Sequence, residues 1–229
     1  MTSNATVLKS AGIVLIACSV AFIAVFSYLA AAFGYPDVLD RSAADVLPLL
    51  LGGGQRLRNV WFLYAALPLG IVFAGAASAT VLERGGRVLR SAGVAAAVTA
   101  GVAMTIGLLR WPTIEWTLAR YWESAPPPSR VALSAVFDAS NLYLGNVFGE
   151  FVGEMATALW FIALAIALRR AGRRAVGHLG TAAGLLVMIA ALRNITTAVA
   201  VVAEINNFTL PLWLITLGVL FVRDGRHRA

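Results

Sequence analysis

Apolar residues in this chain run in long blocks rather than alternating with polar ones at a short period. Mostly apolar blocks cover approximately 10–33, 59–82, 91–109, 145–168, 179–203 and 205–222. A bilayer core requires roughly 20 helical residues, and most of the blocks supply close to that number. In hydrocarbon every backbone N–H and C=O has to be paired inside its own segment, so blocks of this length predict helices. The pattern therefore predicts an all-α polytopic membrane bundle: one integral membrane domain over residues 1–229 with six transmembrane helices. Ile13–Phe33 is too long for the apolar region of a signal peptide, and no A-x-A site leads into a soluble domain, so the first block reads as a retained helix. The last block is the shortest; Asn206 and Asn207 stand before its apolar part, and Pro211 is placed in its first turns, where proline is tolerated.

The connections assign direction. Lys9 precedes the first block; Arg84, Arg87 and Arg90 join the second and third; Arg169, Arg170, Arg173 and Arg174 join the fourth and fifth; Arg223, Arg226 and Arg228 follow the sixth. Six spans place all of these on one side, which the positive-inside rule makes cytoplasmic, with both termini inside. The other side holds Asp37, Asp40, Asp45, Glu115, Glu123 and Asp138, and Trp61, Trp111, Trp116 and Trp122 are expected there as an interfacial aromatic belt. Its connections are long and predict short interfacial helices. One covers Ala43–Leu51: Ser42 and Asp45 have capping-box spacing, Pro48 lies inside, and Gly52-Gly53-Gly54 ends it. A second starts near Pro112, runs to about Trp122 and is ended by Pro126-Pro127-Pro128. A third covers Val131–Phe137, before a break at Asp138-Ala-Ser-Asn141.

Composition narrows the function classes. The chain has 229 residues, 60% hydrophobic and 13% charged, with a net charge of +7. A mean hydropathy of +0.82 excludes an ordinary soluble domain. The basic residues join the spans and form no reading face or nucleic-acid motif, so no nucleic-acid partner is expected. Cys18 is the only cysteine, and the two histidines, His178 and His227, fall outside the blocks. A disulfide, a zinc site and a bis-histidine haem are thereby excluded on inventory. No serine nucleophile elbow is present, the triple glycine lacks the P-loop lysine, and no catalytic residue, metal or cofactor is expected.

The densest chemistry lies in Gly145-Asn-Val-Phe-Gly149-Glu-Phe-Val-Gly153-Glu154. At about 3.6 residues per turn, Gly145, Gly149 and Gly153 form a smooth packing ridge, with Asn146, Glu150 and Glu154 as a polar stripe beside it. Similar ladders, Gly93, Ala97, Gly101, Thr105 and Gly70, Ala74, Ser78, read as packing within the chain, with a homo-oligomer seam as the alternative. Arg193 is the basic residue placed well inside a span, and such a residue needs a partner within the bundle. Counted along the antiparallel fourth and fifth blocks at about 1.5 Å per residue, Glu154 and Arg193 both lie roughly 21 Å from the inner boundary. Arg193 is therefore expected to pair with Glu154, with Glu150 one turn further out as second acceptor. Such a pair serves either as structural glue or as part of a ligand or ion site. A polar pocket opening outward is expected, lined by Tyr143, Asn146, Glu150, Glu154, Arg193, Asn194, Thr197 and Glu204.

Several phrases occur in a fixed order: Tyr35-Pro-Asp-Val-Leu, Leu50-Leu-Gly-Gly-Gly, Val60-Trp-Phe-Leu-Tyr, Gly107-Leu-Leu-Arg-Trp-Pro112, Tyr143-Leu-Gly, Gly149-Glu150 with Gly153, and Thr157-Ala-Leu-Trp160. Together they resemble a bacterial six-span membrane-protein family catalogued only as a domain of unknown function, family 4386. The resemblance implies six spans and a bacterial cytoplasmic membrane and no established activity; Arg110, Trp111, Pro112, Gly149, Glu150 and Gly153 match its pattern. The expected function is a non-enzymatic sensor or accessory protein binding a small molecule or lipid in the bilayer. A small proton-coupled transporter using Glu150 is the alternative, and a purely structural membrane protein the third reading.

Overall fold

A computed structural model describes residues 2–226. His227 and Arg228, assigned to the tail by the charge pattern, lie outside them. Six helices are long and apolar enough to cross a membrane: Asn4–Phe33, Gly54–Ala77, Arg87–Ser124, Pro127–Arg170, Arg174–Asn194 and Thr197–Arg226, the first to sixth spans. Each packs on its neighbour in sequence, and the first also packs on the sixth, so the six close a ring. Small residues let the backbones touch, which matters in lipid, where no hydrophobic force draws helices together. A methyl group on Gly12 would fall 2.4 Å from the Gly218 carbonyl oxygen, and one on Gly225 would fall 2.7 Å from that of Ala5. The first and sixth spans are thus locked together near the chain termini. Gly101 likewise meets the Pro68 carbonyl, and Gly70 meets Cys18 of the first span, so the ladders of the second and third spans pack within the chain.

Two hydrophobic clusters fill the ring. Toward the terminal end, Leu8, Leu15, Leu82, Trp160, Phe161 and Phe221 pack together. The Trp160 indole N–H donates across the ring to Ser78 Oγ at 3.2 Å. Toward the opposite end, Phe33, Leu47, Tyr64, Trp61, Trp111 and Trp122 form an aromatic cap. Trp61 stacks on Trp111 at 4.9 Å and 16°, with Phe33 edge-on to both. The expected tryptophan belt is corrected here. Trp61 and Trp111 are fully buried and Trp116 and Trp122 nearly so, because the surface helix Ala43–Gly52 and the far ends of the third and fourth spans fold over them. That surface helix occupies its expected place, with Pro48 inside. Its capping differs: Ser42 Oγ donates to Asp45 Oδ2 at 2.6 Å, side chain to side chain, rather than either capping a backbone N–H.

Three further expectations are corrected. The segment from Pro112 to Trp122 is not a separate surface helix; it continues the third span through a wide π-helical turn, Trp111–Glu115, as far as Ser124. Nor does the chain break at Asp138–Asn141. The helix beginning at Pro127 runs through a long π-helical stretch, Asn141–Val152, into Gly153–Arg170 as one span. The fifth span stops near Asn194 rather than reaching 203. Thr196 adopts extended backbone and its hydroxyl accepts from the Ala198 N–H, capping the start of the sixth span. The apolar residues 199–203 therefore open the sixth span, and Pro211 lies in the middle of the helix Ala200–Arg226. A proline there removes the N–H that the Asn207 carbonyl would otherwise receive.

Candidate functional site

A cavity of about 150 Å³ lies in the ring, lined by members of both clusters. One wall is apolar: Leu15, Cys18 and Phe22 from the first span, Ile71 from the second, Leu210 and Leu214 from the sixth. The facing wall is charged: Arg110 from the third span, Glu150 and Glu154 from the fourth, Arg193 from the fifth. Glycines bring this wall together. A methyl on Gly107 would fall 2.5 Å from Gly149 Cα, so the third and fourth spans meet backbone to backbone, and one on Gly145 would fall 2.7 Å from the Arg110 guanidinium carbon. The ridge Gly145, Gly149, Gly153 thus faces the third span and makes room for Arg110 and Met104.

Arg193 joins the two glutamates. Its Nη2 lies 3.1 Å from Glu150 Oε2 and 3.2 Å from Glu154 Oε1. Its Nε also donates to Glu150 Oε2 at 3.1 Å. Glu150 therefore receives two of these contacts and Glu154 shares the same nitrogen, whereas the depth count made Glu154 the main partner. The placement of Arg193 is also corrected: it sits in the last turn of its span, in the short 3-10 segment Leu192–Asn194, and reaches the glutamates from there. Asn206 Nδ2 approaches Glu154 Oε1 at 3.5 Å. Glu154 Oε2, Arg193 Nη1 and Asn206 Oδ1 are buried without a hydrogen-bond partner.

Arg110 forms the second polar centre and is only 4% exposed. It follows directly on the helix Arg87–Leu109, where its Nη1 donates to the Gly107 carbonyl at 2.6 Å. Its Nε donates to Asn141 Oδ1 at 2.9 Å, and the guanidinium lies over the Trp111 ring at 5.2 Å. Behind it, the fully buried Glu115 accepts from Ser140 Oγ at 2.5 Å, and Glu115 Oε2 has no partner. Glu150, Glu115 and Tyr35 lie within electrostatic reach of Arg110, yet among the described residues it forms no ion pair within 4.0 Å. Tyr35 and Tyr64 roof the cavity. Burial pushes the Tyr35 phenol up to about 12, with Glu150 adding to the rise, so it stays a neutral hydroxyl.

Of the eight residues expected in the pocket, Glu150, Glu154 and Arg193 line the cavity. Tyr143, Asn146, Asn194, Thr197 and Glu204 do not. Asn146 stands four residues before Glu150 in the π-helical stretch and does not reach the cavity. Tyr143 is 64% exposed on the outside of the ring. Thr197 and Glu204 are exposed near the start of the sixth span, displaced by the early end of the fifth, and Asn194 Nδ2 turns back to the Ala191 carbonyl. The pocket expected from the sequence left out Arg110, Tyr35, Tyr64 and Asn207, although Arg110 matched the family pattern. Arg110 carried a usable signal, a lone arginine following Gly107 and preceding Trp111-Pro112. The roof tyrosines carried none, since only the folding-over of the 34–52 segment brings Tyr35 beside Tyr64.

The family described as Domain of unknown function (DUF4386) matches residues 10–218. No curated protein and no solved structure matches the chain. Among the described residues, no three His, Cys, Asp or Glu side chains come together as metal ligands.

Proposed function

The chain belongs to this family of domains of unknown function, DUF4386, and on that premise we propose that it is a non-enzymatic binding protein of the membrane. It takes a small molecule or lipid into the cavity beside Arg193 and acts as a sensor or accessory subunit. The observation that carries this reading is the cavity's two-sided lining, two guanidiniums and two carboxylates facing an apolar wall. Structural glue needs one arginine and one carboxylate packed without space. Here four charged groups border an open volume of about 150 Å³, a size at which an engineered apolar cavity of about 150 Å³ holds a benzene-sized guest. Proton-coupled transport through Glu150 needs a second access route, and the terminal half of the ring is filled by Trp160, Phe161, Leu164 and Leu82. The basic connections Arg84–Arg90 and Arg169–Arg174 favour an orientation with both chain termini on the cytoplasmic side.

Native mass spectrometry of the detergent-purified protein tests the reading. The wild type is expected to carry a small-molecule adduct that is reduced in the Glu150→Gln and Arg110→Gln variants. A wild-type protein free of adducts, whose melting temperature is also unmoved by a membrane lipid extract, would make the charged wall structural only.

A further inference from the structure

Resting on that binding reading, we propose that the occupant is a single-chain anionic amphiphile. Its carboxylate or phosphate head is held by Arg110, and its acyl chain leaves the ring between the first and sixth spans. The head follows from charge pairing. Arg193 is already shared by Glu150 and Glu154 at 3.1 and 3.2 Å. Arg110 borders the same cavity, nearly completely buried, with Nε on Asn141, Nη1 on the Gly107 carbonyl and no carboxylate within 4.0 Å. Glu150 and Glu115 lie within electrostatic reach but make no contact with it within 4.0 Å, and an anionic oxygen in the cavity supplies the close, charge-assisted contact they do not make.

The exit of the chain follows from the helix register. The first and sixth spans touch backbone to backbone at Gly12 with Gly218 and at Ala5 with Gly225, all toward the termini. Continued antiparallel, that register brings Ser19 opposite Pro211 and Phe22 to within one residue of Asn207. All four line the cavity, so the space reaches into the seam between the two helices. Asn207 also lies on the outside of the ring, beside Phe208, which is 70% exposed. The mouth therefore opens on an apolar flank that faces hydrocarbon in a bilayer. The cavity itself holds a head group and the first few methylenes; a longer chain has to continue through the seam.

The test uses wild-type protein in detergent and radiolabelled palmitate in a scintillation-proximity assay. Saturable binding is expected, displaced by hexadecyl phosphate but about tenfold or more less well by methyl palmitate, as loss of a charge-assisted hydrogen bond implies. Arg110→Gln is expected to weaken palmitate by a similar factor, and Arg110→Lys to restore part of it. Methyl palmitate competing as well as palmitate, or undiminished binding to Arg110→Gln, overturns the anionic head. Hexanoate competing as well as palmitate points to a free acid from water and overturns the membrane source. Asn207→Trp, at an exposed position, keeps the test open should Arg110→Gln fail to fold: it is expected to slow palmitate uptake several-fold, and unchanged uptake removes the seam. A wild type that carries a native adduct but binds none of these probes keeps the pocket and loses the amphiphile; one that shows neither loses both.

Discussion

Replacing Arg193 with Gln removes the cation shared by Glu150 and Glu154 and leaves two carboxylates facing each other. At 3.1 and 3.2 Å, each contact has a gross Coulomb attraction of about 5 kcal/mol at an effective dielectric constant of about 20. Most of that gain is cancelled by desolvation of the ions. Removing one partner of a buried pair typically costs about 3–5 kcal/mol. Arg193 and Glu150 are each 24% exposed at the side chain, so water screens part of the loss and about 2–3 kcal/mol is expected. For a chain of this size that corresponds to a melting temperature lower by roughly 5–10 °C. The measurement is a thermal melt of detergent-solubilised protein at fixed detergent concentration and scan rate, because membrane proteins of this kind rarely unfold reversibly. Adding Glu154→Gln to Arg193→Gln removes the more buried carboxylate and is expected to recover about 1–2 kcal/mol. Arg193→Gln melting within 2 °C of wild type would refute the stabilising role of the triad. A double variant melting below Arg193→Gln would refute the coupling.

Gly107→Ala places a methyl 2.5 Å from Gly149 Cα and 2.9 Å from the Leu144 carbonyl, both backbone, and is expected to destabilise by about 1–3 kcal/mol despite alanine's better helix propensity. Gly52→Ala meets nothing within 4 Å and is expected to be neutral or slightly stabilising; equal melting shifts for the two would contradict the third–fourth span contact. For orientation, single cysteines in a Cys18→Ala background at Ser124 and Arg84, both exposed at opposite ends of the bundle, are expected to react differently with a membrane-impermeant maleimide in intact cells. Ser124→Cys should label and Arg84→Cys should not, and the reverse pattern would invert the assigned direction.

The six spans were legible because hydropathy is a local sum and hydrocarbon imposes one demand on every residue of a block. The same arithmetic brought Arg193 level with Glu154 and within one turn of Glu150, since depth along antiparallel helices is a matter of counting. Where hydropathy was continuous it misplaced a boundary. Val199–Ala203 is apolar whichever helix owns it, and the deciding features were Thr196 and its capping hydroxyl, a polar interruption of a few residues. At Pro112 and Asp138–Asn141, local breaker signals suggested interruptions that the π-helical turns absorb, the wider turn accommodating the extra residues without ending the span.

What the sequence by itself determined is the membrane, the number of crossings and the axial level of the charged residues. Each depends on residues near one another along the chain or on simple rise per residue. Tertiary structure alone decided the lateral arrangement: the first span locking onto the sixth through Gly12 and Gly218, the tryptophans turning inward under the surface helix, and Arg110 and Tyr35 joining the glutamates around one cavity. Those outcomes rest on which helix faces meet and how far each helix is rotated. A π-helical stretch shifts that rotation, and contacts between segments far apart in sequence fix it.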